Sequence, residues 1–274
     1  MKKSEAKKSA LSYERKNFWK EAKADQQKAA YNYAEPYKAF LNQAKTVRET
    51  IAYTENLLKK HKFSVVGKKG SKKVYTIFRG KTMAMAVIGT EPVSNGVNMV
   101  AAHIDAPRVD LKQNPLYEDS SSAMACMRTH YYGGIKKYQW VSTPLSLHGI
   151  IIKADGSKLE ISLGEKDNEP VFIIPDLLPH LARKEQYTKN LADAIDASKM
   201  NLIFSGRMEP ATEEKEAIKS YALKLLNDKY GITESDFLSA ELELVPAVQA
   251  RDAGFDGSMV VGYGQDDQIG RAHV

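Results

Sequence analysis

From Tyr37 onward, Phe40, Leu41, Ala44, Val47, Ile51 and Leu58 recur at steps of three and four residues. That spacing predicts one amphipathic helix with a single apolar stripe. Pro36 stands where it can open the helix, because a proline in the first turn gives up only an N–H that would be unpaired anyway. The helix is expected to fade near His61–Phe63. Residues 74–89, VYTIFRGKTMAMAVIG, predict two short strands turning at Gly80–Lys81. The stretch before them, GKKGSKK at 67–73, lacks the spacing of a phosphate loop and reads as a lysine-rich surface turn.

Val97–Ala102 is apolar throughout, the pattern of a strand covered on both faces of a sheet. After Lys112 the pattern dissolves: residues 117–144, YEDSSSAMACMRTHYYGGIKKYQWVSTP, mix small, polar and aromatic residues with no clear period. Residues 146–164 then give the strongest hairpin in the chain, two strands flanking Asp155–Gly156, a favoured two-residue turn. A short strand with a helix start at Pro175 or Pro179 follows, and NLIFSG at 201–206 predicts another strand. Residues 211–231 predict a helix with acidic residues first, lysines later and Gly231 as its stop. An alternating strand is expected at 240–245 and a second buried run at Met259–Val261. Helices, buried strands, a β-rich middle and buried strands again suggest an α/β domain interrupted by an inserted β-rich domain.

Composition narrows the class without naming a chemistry. With 274 residues, 43% hydrophobic and 27% charged, the chain can bury a sizeable core. Its single cysteine, Cys126, excludes an internal disulfide framework and a cysteine-based zinc site, and fits a reducing compartment. The formal charge of +6 is spread as lysines beside glutamates, the pattern of solvated helix faces, so no nucleic-acid partner is expected. The basic start, MKKSEAKKSALSYERK, is followed by no apolar core of a signal peptide, and no apolar stretch approaches the ~18 residues of a membrane span. The expected location is cytoplasmic, with no membrane partner.

The candidate chemistry sits at the ends of the apolar runs. His103 and Asp105, two apart on an extended chain, point to the same side at the carboxyl end of the 97–102 strand. Two readings stay open: a polar strand end closed by Pro107, or a zinc-binding imidazole whose tautomer is fixed by a carboxylate. Asp266 and Asp267 follow the other run, either as an acidic loop or with one carboxylate bridging two metals. His180 reads as a core or helix-surface histidine. His130 and His148 flank the aromatic stretch, whose rings suit an interface or core better than base stacking. There is no G-x-S-x-G elbow, and Cys126 has no protease context, so nucleophilic catalysis has no support.

Several stretches taken together resemble one family. HIDAPRVDLKQNPLYE, THYYGGIKKYQW, PLSLHGIII, IIPDLLPHL, ELELVPA with ARDAGFDGSMVVGYGQDD, and the helix EPYKAFLNQAKTVRETI are similar, in order, to the bacterial branch of the M18 zinc aminopeptidases. The lysine-rich leader before residue 30 is not matched. The resemblance implies an α/β fold: a sheet-centred metallopeptidase domain, an αβα sandwich, from residues 1–112 and 240–274. An inserted β-rich dimerisation or oligomerisation domain would occupy 113–239. It implies two zinc ions per subunit, with cobalt or manganese as possible substitutes. Peptides would be the substrates, and a homo-oligomer, a dodecamer built from dimers, the assembly. By motif, His103 matches a zinc ligand, Asp105 the aspartate that orients it and Asp267 the metal-bridging carboxylate. His180 matches a histidine presented to a neighbouring subunit's active site.

The family's general-base glutamate and its remaining ligands lie downstream of GYGQDD, whereas this chain ends seven residues after Asp267. Its last residues, IGRAHV, match one reading frame of the sequencing adapter AGATCGGAAGAGCACACGTC, with Gln268 as the junction codon. The expectation is therefore a C-terminally truncated, inactive piece of an aminopeptidase, in which residues 269–274 do not derive from the gene and His273 is no ligand. The alternative is a non-catalytic oligomeric assembly module with a degenerate peptidase half. The preferred N-terminal residue is not readable from this sequence.

Overall fold

The computed structural model describes residues 11–210 and 213–264, together with the backbone of 269–273. It is mixed α and β. A short helix α1 (Phe18–Glu21) leads into α2 (Ala24–Gln43) and α3 (Val47–Lys60). The expected single helix is thus two, and Pro36 lies inside α2 rather than at a helix start. The break falls at Ala44–Thr46, where Thr46 opens a capping box. Its hydroxyl accepts from Glu49 N, and the Glu49 carboxylate accepts from Thr46 N at 3.0 Å. These bonds satisfy orphan donors of a fresh helix start, so the apolar stripe continues while the backbone does not.

Next come β1 (Ser64–Val65), β2 (Lys73–Phe78) and β3 (Thr82–Val87), one small sheet with the expected hairpin between β2 and β3. β4 (Asn98–Ala102) is the expected apolar strand, but all five of its residues are exposed. Its ladder partner is β13 (Ile269–His273), in antiparallel register. The second apolar run forms β12 (Met259–Val261), paired among the described residues with β11 (Arg251–Ala253) and likewise largely exposed. An apolar run states that a strand needs cover; it does not supply the covering layer.

The centre of the molecule is a six-stranded antiparallel sheet in the order β8-β7-β10-β5-β6-β9. Its strands are β5 (Arg108–Asp119), β6 (Met124–Tyr132), β7 (Leu145–Ile152), β8 (Lys158–Leu163), β9 (Leu202–Ser205) and β10 (Ala240–Pro246). The patternless stretch after Lys112 is therefore mostly strand. The register of β5 against β6 shifts between Leu111 and Leu116, around buried Pro115, which has no N–H to give a ladder. β5 runs unbroken through residue 112, and β10 is inserted between β7 and β5, so the expected boundaries at 112 and 240 both fall within this sheet.

Alternation in β10 decides the two faces. Leu242 and Leu244 join Val109, Met127, Leu145, Ile151 and Leu202 in the apolar core. Glu241 and Glu243 point the other way, to a polar face covered by the start of α3. The core is closed by α6 (Ala217–Tyr230) through Ile218, Ala222 and Leu226. This helix begins later than its acidic prelude predicts. Its first donors, Ile218 N and Lys219 N, go to the Glu118 carboxylate of β5 at 2.9 and 3.1 Å, and Gly231 ends it in the left-handed conformation as expected. The remaining helices are α4 (Pro179–Glu185), with Pro179 in its first turn, and α5 (Leu191–Ala194). Among the described residues no helix is long and apolar enough to cross a membrane.

Candidate metal centre

β4 ends at Ala102 and hands His103 to an extended loop that Pro107 closes before β5 begins. Two residues on, Asp105 turns back to it: His103 Nδ1 lies 2.6 Å from Asp105 Oδ1. The His103 side chain is 52% exposed and that of Asp105 17%. A proton held on Nδ1 by the carboxylate leaves the ring lone pair on Nε2, the state in which an imidazole ligates a metal. The other carboxylate oxygen, Asp105 Oδ2, accepts from Tyr132 Oη at 2.7 Å. Tyr132 ends β6 directly opposite Arg108 at the start of β5, and the Arg108 guanidinium lies 3.9 Å from its ring centroid.

Arg108 is fixed in turn from the polar face of the sheet. Its Nε donates to Asp110 Oδ1 at 2.8 Å, and Glu243 Oε2 lies 3.2 Å from the same nitrogen. A guanidinium Nε carries one hydrogen, and Asp110 takes it. Buried Glu243 Oε2 therefore has the positive charge nearby without a hydrogen bond. Burial pushes the Glu243 carboxyl up to about 7 against the pull of Arg108, and burial likewise raises Asp110.

The same loop faces a cleft of about 450 Å³ between α2 and the end of the GYG segment, lined by Tyr37, Leu41, Pro107, Trp140, Tyr263 and Gly264 among others. Tyr263 Oη donates to Pro107 O at 3.0 Å, joining chain positions 156 apart. Leu41 of α2 packs directly on Gly264, where a Cβ would press the end of its side chain aside. The loop that carries His103 and the segment that leads to Asp267 are thus held together at this point. Asp267 itself lies outside the described residues.

His180, the second residue of α4, is exposed. His148 is buried within β7 between two carboxylates: Nδ1 is 2.7 Å from Glu49 Oε1 and Nε2 is 3.0 Å from Glu165 Oε1. Lys45, also buried, donates to Glu165 Oε1 at 2.8 Å and to the carbonyls of Pro246 and Val248. The two carboxylates outweigh burial and hold His148 as an imidazolium with a pKa of about 9, while Glu165 is pulled down to about 2. A doubly paired, buried histidine is a brace between α3 and the sheet, not a ligand. His130 stacks on Tyr131 and lies on β6 opposite Asp110, in the same cross-strand row as His148.

Among the described residues no three His, Cys, Asp or Glu side chains cluster as a metal site would require. What the strand end does hold is one imidazole, oriented by a carboxylate, a donor that fits zinc in type and tautomer. An imidazole held by a carboxylate at a strand terminus is a donor of the kind metal-dependent hydrolases use. Comparison with known proteins makes this specific. The sequence profile described as Aminopeptidase I zinc metalloprotease (M18) matches residues 40–272, and the chain belongs to that family. It is 46% identical over 264 residues to the probable M18 family aminopeptidase 1 of Clostridium acetobutylicum, covering 93% of this chain and 56% of that protein. The M18 aminopeptidase structure from Thermotoga maritima superposes with a TM-score of 0.85 at 41% identity, over 93% of this chain and 56% of that one. A structure described as the S. cerevesiae mApe1 dodecamer shares the fold at 18% identity, TM-score 0.58, over 85% of this chain and 51% of that one. The chain therefore spans little more than half the length of these relatives.

Tyr132, Arg108 and Glu243 escaped the sequence reading. The signal that could have found them is the β5–β6 register, which sets Arg108 opposite Tyr132; a stretch without alternation conceals it.

Proposed function

We propose that this chain is the part of a zinc aminopeptidase that carries His103 as a metal ligand, Asp105 as its orienting carboxylate and Asp267 as a carboxylate bridging two zinc ions per subunit. The observation that carries the reading is the 2.6 Å His103–Asp105 contact at the end of β4. Zinc bound there would lower the pKa of a water and polarise the scissile carbonyl at a peptide's N-terminus. Asp105 keeps the His103 proton on Nδ1, and the Tyr263–Pro107 bond holds the two ligand-bearing segments in register. Cobalt or manganese would fit the same nitrogen and oxygen donors.

The exposed faces of β4 and β12 support a site completed by further chain, and residues 1–274 should by themselves hydrolyse no peptide. The exposed α4 supports a role for His180 at a neighbouring subunit's site in a homo-oligomer, with residues 113–239 as the assembly domain. Equilibrium dialysis against Zn²⁺ with chelator competition tests the reading on a chimera in which the chain continues past Asp267 as the Clostridium acetobutylicum relative does. His103→Ala should weaken uptake at least about tenfold, as loss of a ligand or its support does. Equal uptake by both proteins, or an oligomer that takes up none, would replace it with a non-catalytic assembly module.

A further inference from the structure

The geometry points to Tyr132 as a positioning residue for His103, acting through Asp105 and itself clamped by Arg108. The inference rests on the reading of His103 as a metal ligand. Asp105 uses its two oxygens in opposite directions, Oδ1 toward His103 Nδ1 at 2.6 Å and Oδ2 toward Tyr132 Oη at 2.7 Å. The terminal torsion of an aspartate is broad and nearly twofold, so a carboxylate held at one oxygen can swing and take the imidazole with it. Held at both, it cannot.

Tyr132 is 43% exposed, so its ring needs an anchor of its own. Arg108 supplies one, stacked at 3.9 Å from the opposite register position and fixed by Asp110 and Glu243. The Glu243 side chain is 3% exposed, which roots the series in the interior of the sheet. A line of contacts thus runs from the sheet through Arg108, Tyr132 and Asp105 to the His103 ring, and no other residue on it duplicates the phenol hydroxyl. A cation over the ring also draws electron density from the phenol and makes its hydroxyl a better donor.

The test is zinc-free NMR of the full chain labelled at its six histidines with ¹⁵N, at a pH where the His103 ring is neutral. The wild type should hold His103 mainly as the Nδ1–H tautomer. Tyr132→Phe keeps the stacking and removes the hydroxyl; the ratio of Nδ1–H to Nε2–H should fall about fivefold, the effect of one hydrogen bond. Asp105→Ala should abolish the preference, and adding Tyr132→Phe to it should change nothing further, which a purely structural role would not predict. Buried His148 reports whether the fold is intact. If Tyr132→Phe does not fold, Arg108→Lys carries the test by unstacking the phenol, with a shift in the same direction. Unchanged His103 shifts in a folded variant, or a full Tyr132→Phe effect that persists without Asp105, would overturn the proposal. Because no metal is present, this outcome is independent of whether His103 binds zinc.

Discussion

Raising the pH through the titration of His148 is expected to remove about 3 kcal/mol of stability from the folded chain. The imidazole is 3% exposed and lies between Glu49 and Glu165, which lift its pKa from the ordinary 6.5 to about 9. The folded state therefore keeps a proton that the unfolded state releases above pH 6.5. The stabilisation is complete below that value and lost as pH rises through about 9. At about 1.4 kcal/mol per pH unit, the interval corresponds to about 3 kcal/mol, in which the carboxylates' gain from the same contacts is already included. Urea unfolding followed by the fluorescence of core Trp140 between pH 6 and 9.5 measures it. His148→Gln keeps hydrogen-bonding capacity without the charge, so it should be less stable at pH 6 and lack the decline between 6.5 and 9. Parallel stability curves for the two proteins across that interval would refute the account of His148 as a buried imidazolium.

Lys45→Met should destabilise by about 1–3 kcal/mol, because it leaves two carbonyls without their donor and removes one partner of Glu165, which keeps His148 and Ser146; denaturant midpoints at pH 7 give the value. Gly149→Ala should lower the thermal midpoint by several degrees or abolish soluble expression, since its φ of +139° suits glycine and a Cβ would strike the Glu241 carbonyl of β10.

What could be read from the sequence was whatever neighbours along the chain decide. Asp155–Gly156 marks the place of the β7–β8 hairpin, although the connection is longer than the expected two residues, with Ile152 pairing Lys158 and Gly156 taking the positive φ; Gly231 likewise marks the end of α6, because turn and cap conformations are set within a few residues. Ordered motifs likewise carried the family resemblance, and with it His103 and Asp105. Other elements were illegible for a physical reason. β5 and β6 are buried unevenly and shifted at Pro115, so neither alternates cleanly. Lys45 looks like one more solvated lysine, yet is buried because Glu165 and two carbonyls meet it from 120 or more residues away.

The sequence by itself determined local turns and stops such as Asp155–Gly156 and Gly231, the apolar stripe shared by α2 and α3, and that a histidine and an aspartate leave a strand end on the same side. Tertiary structure alone decided what those groups meet. It set β10 between β7 and β5, and so put Glu243 opposite both His148 and Asp110. It placed Tyr132 within reach of Asp105, and Tyr263 on Pro107. Hydrogen bonds and ion pairs depend on distances of a few ångströms between residues far apart in the chain. Local pattern cannot carry such distances; sheet order and register do.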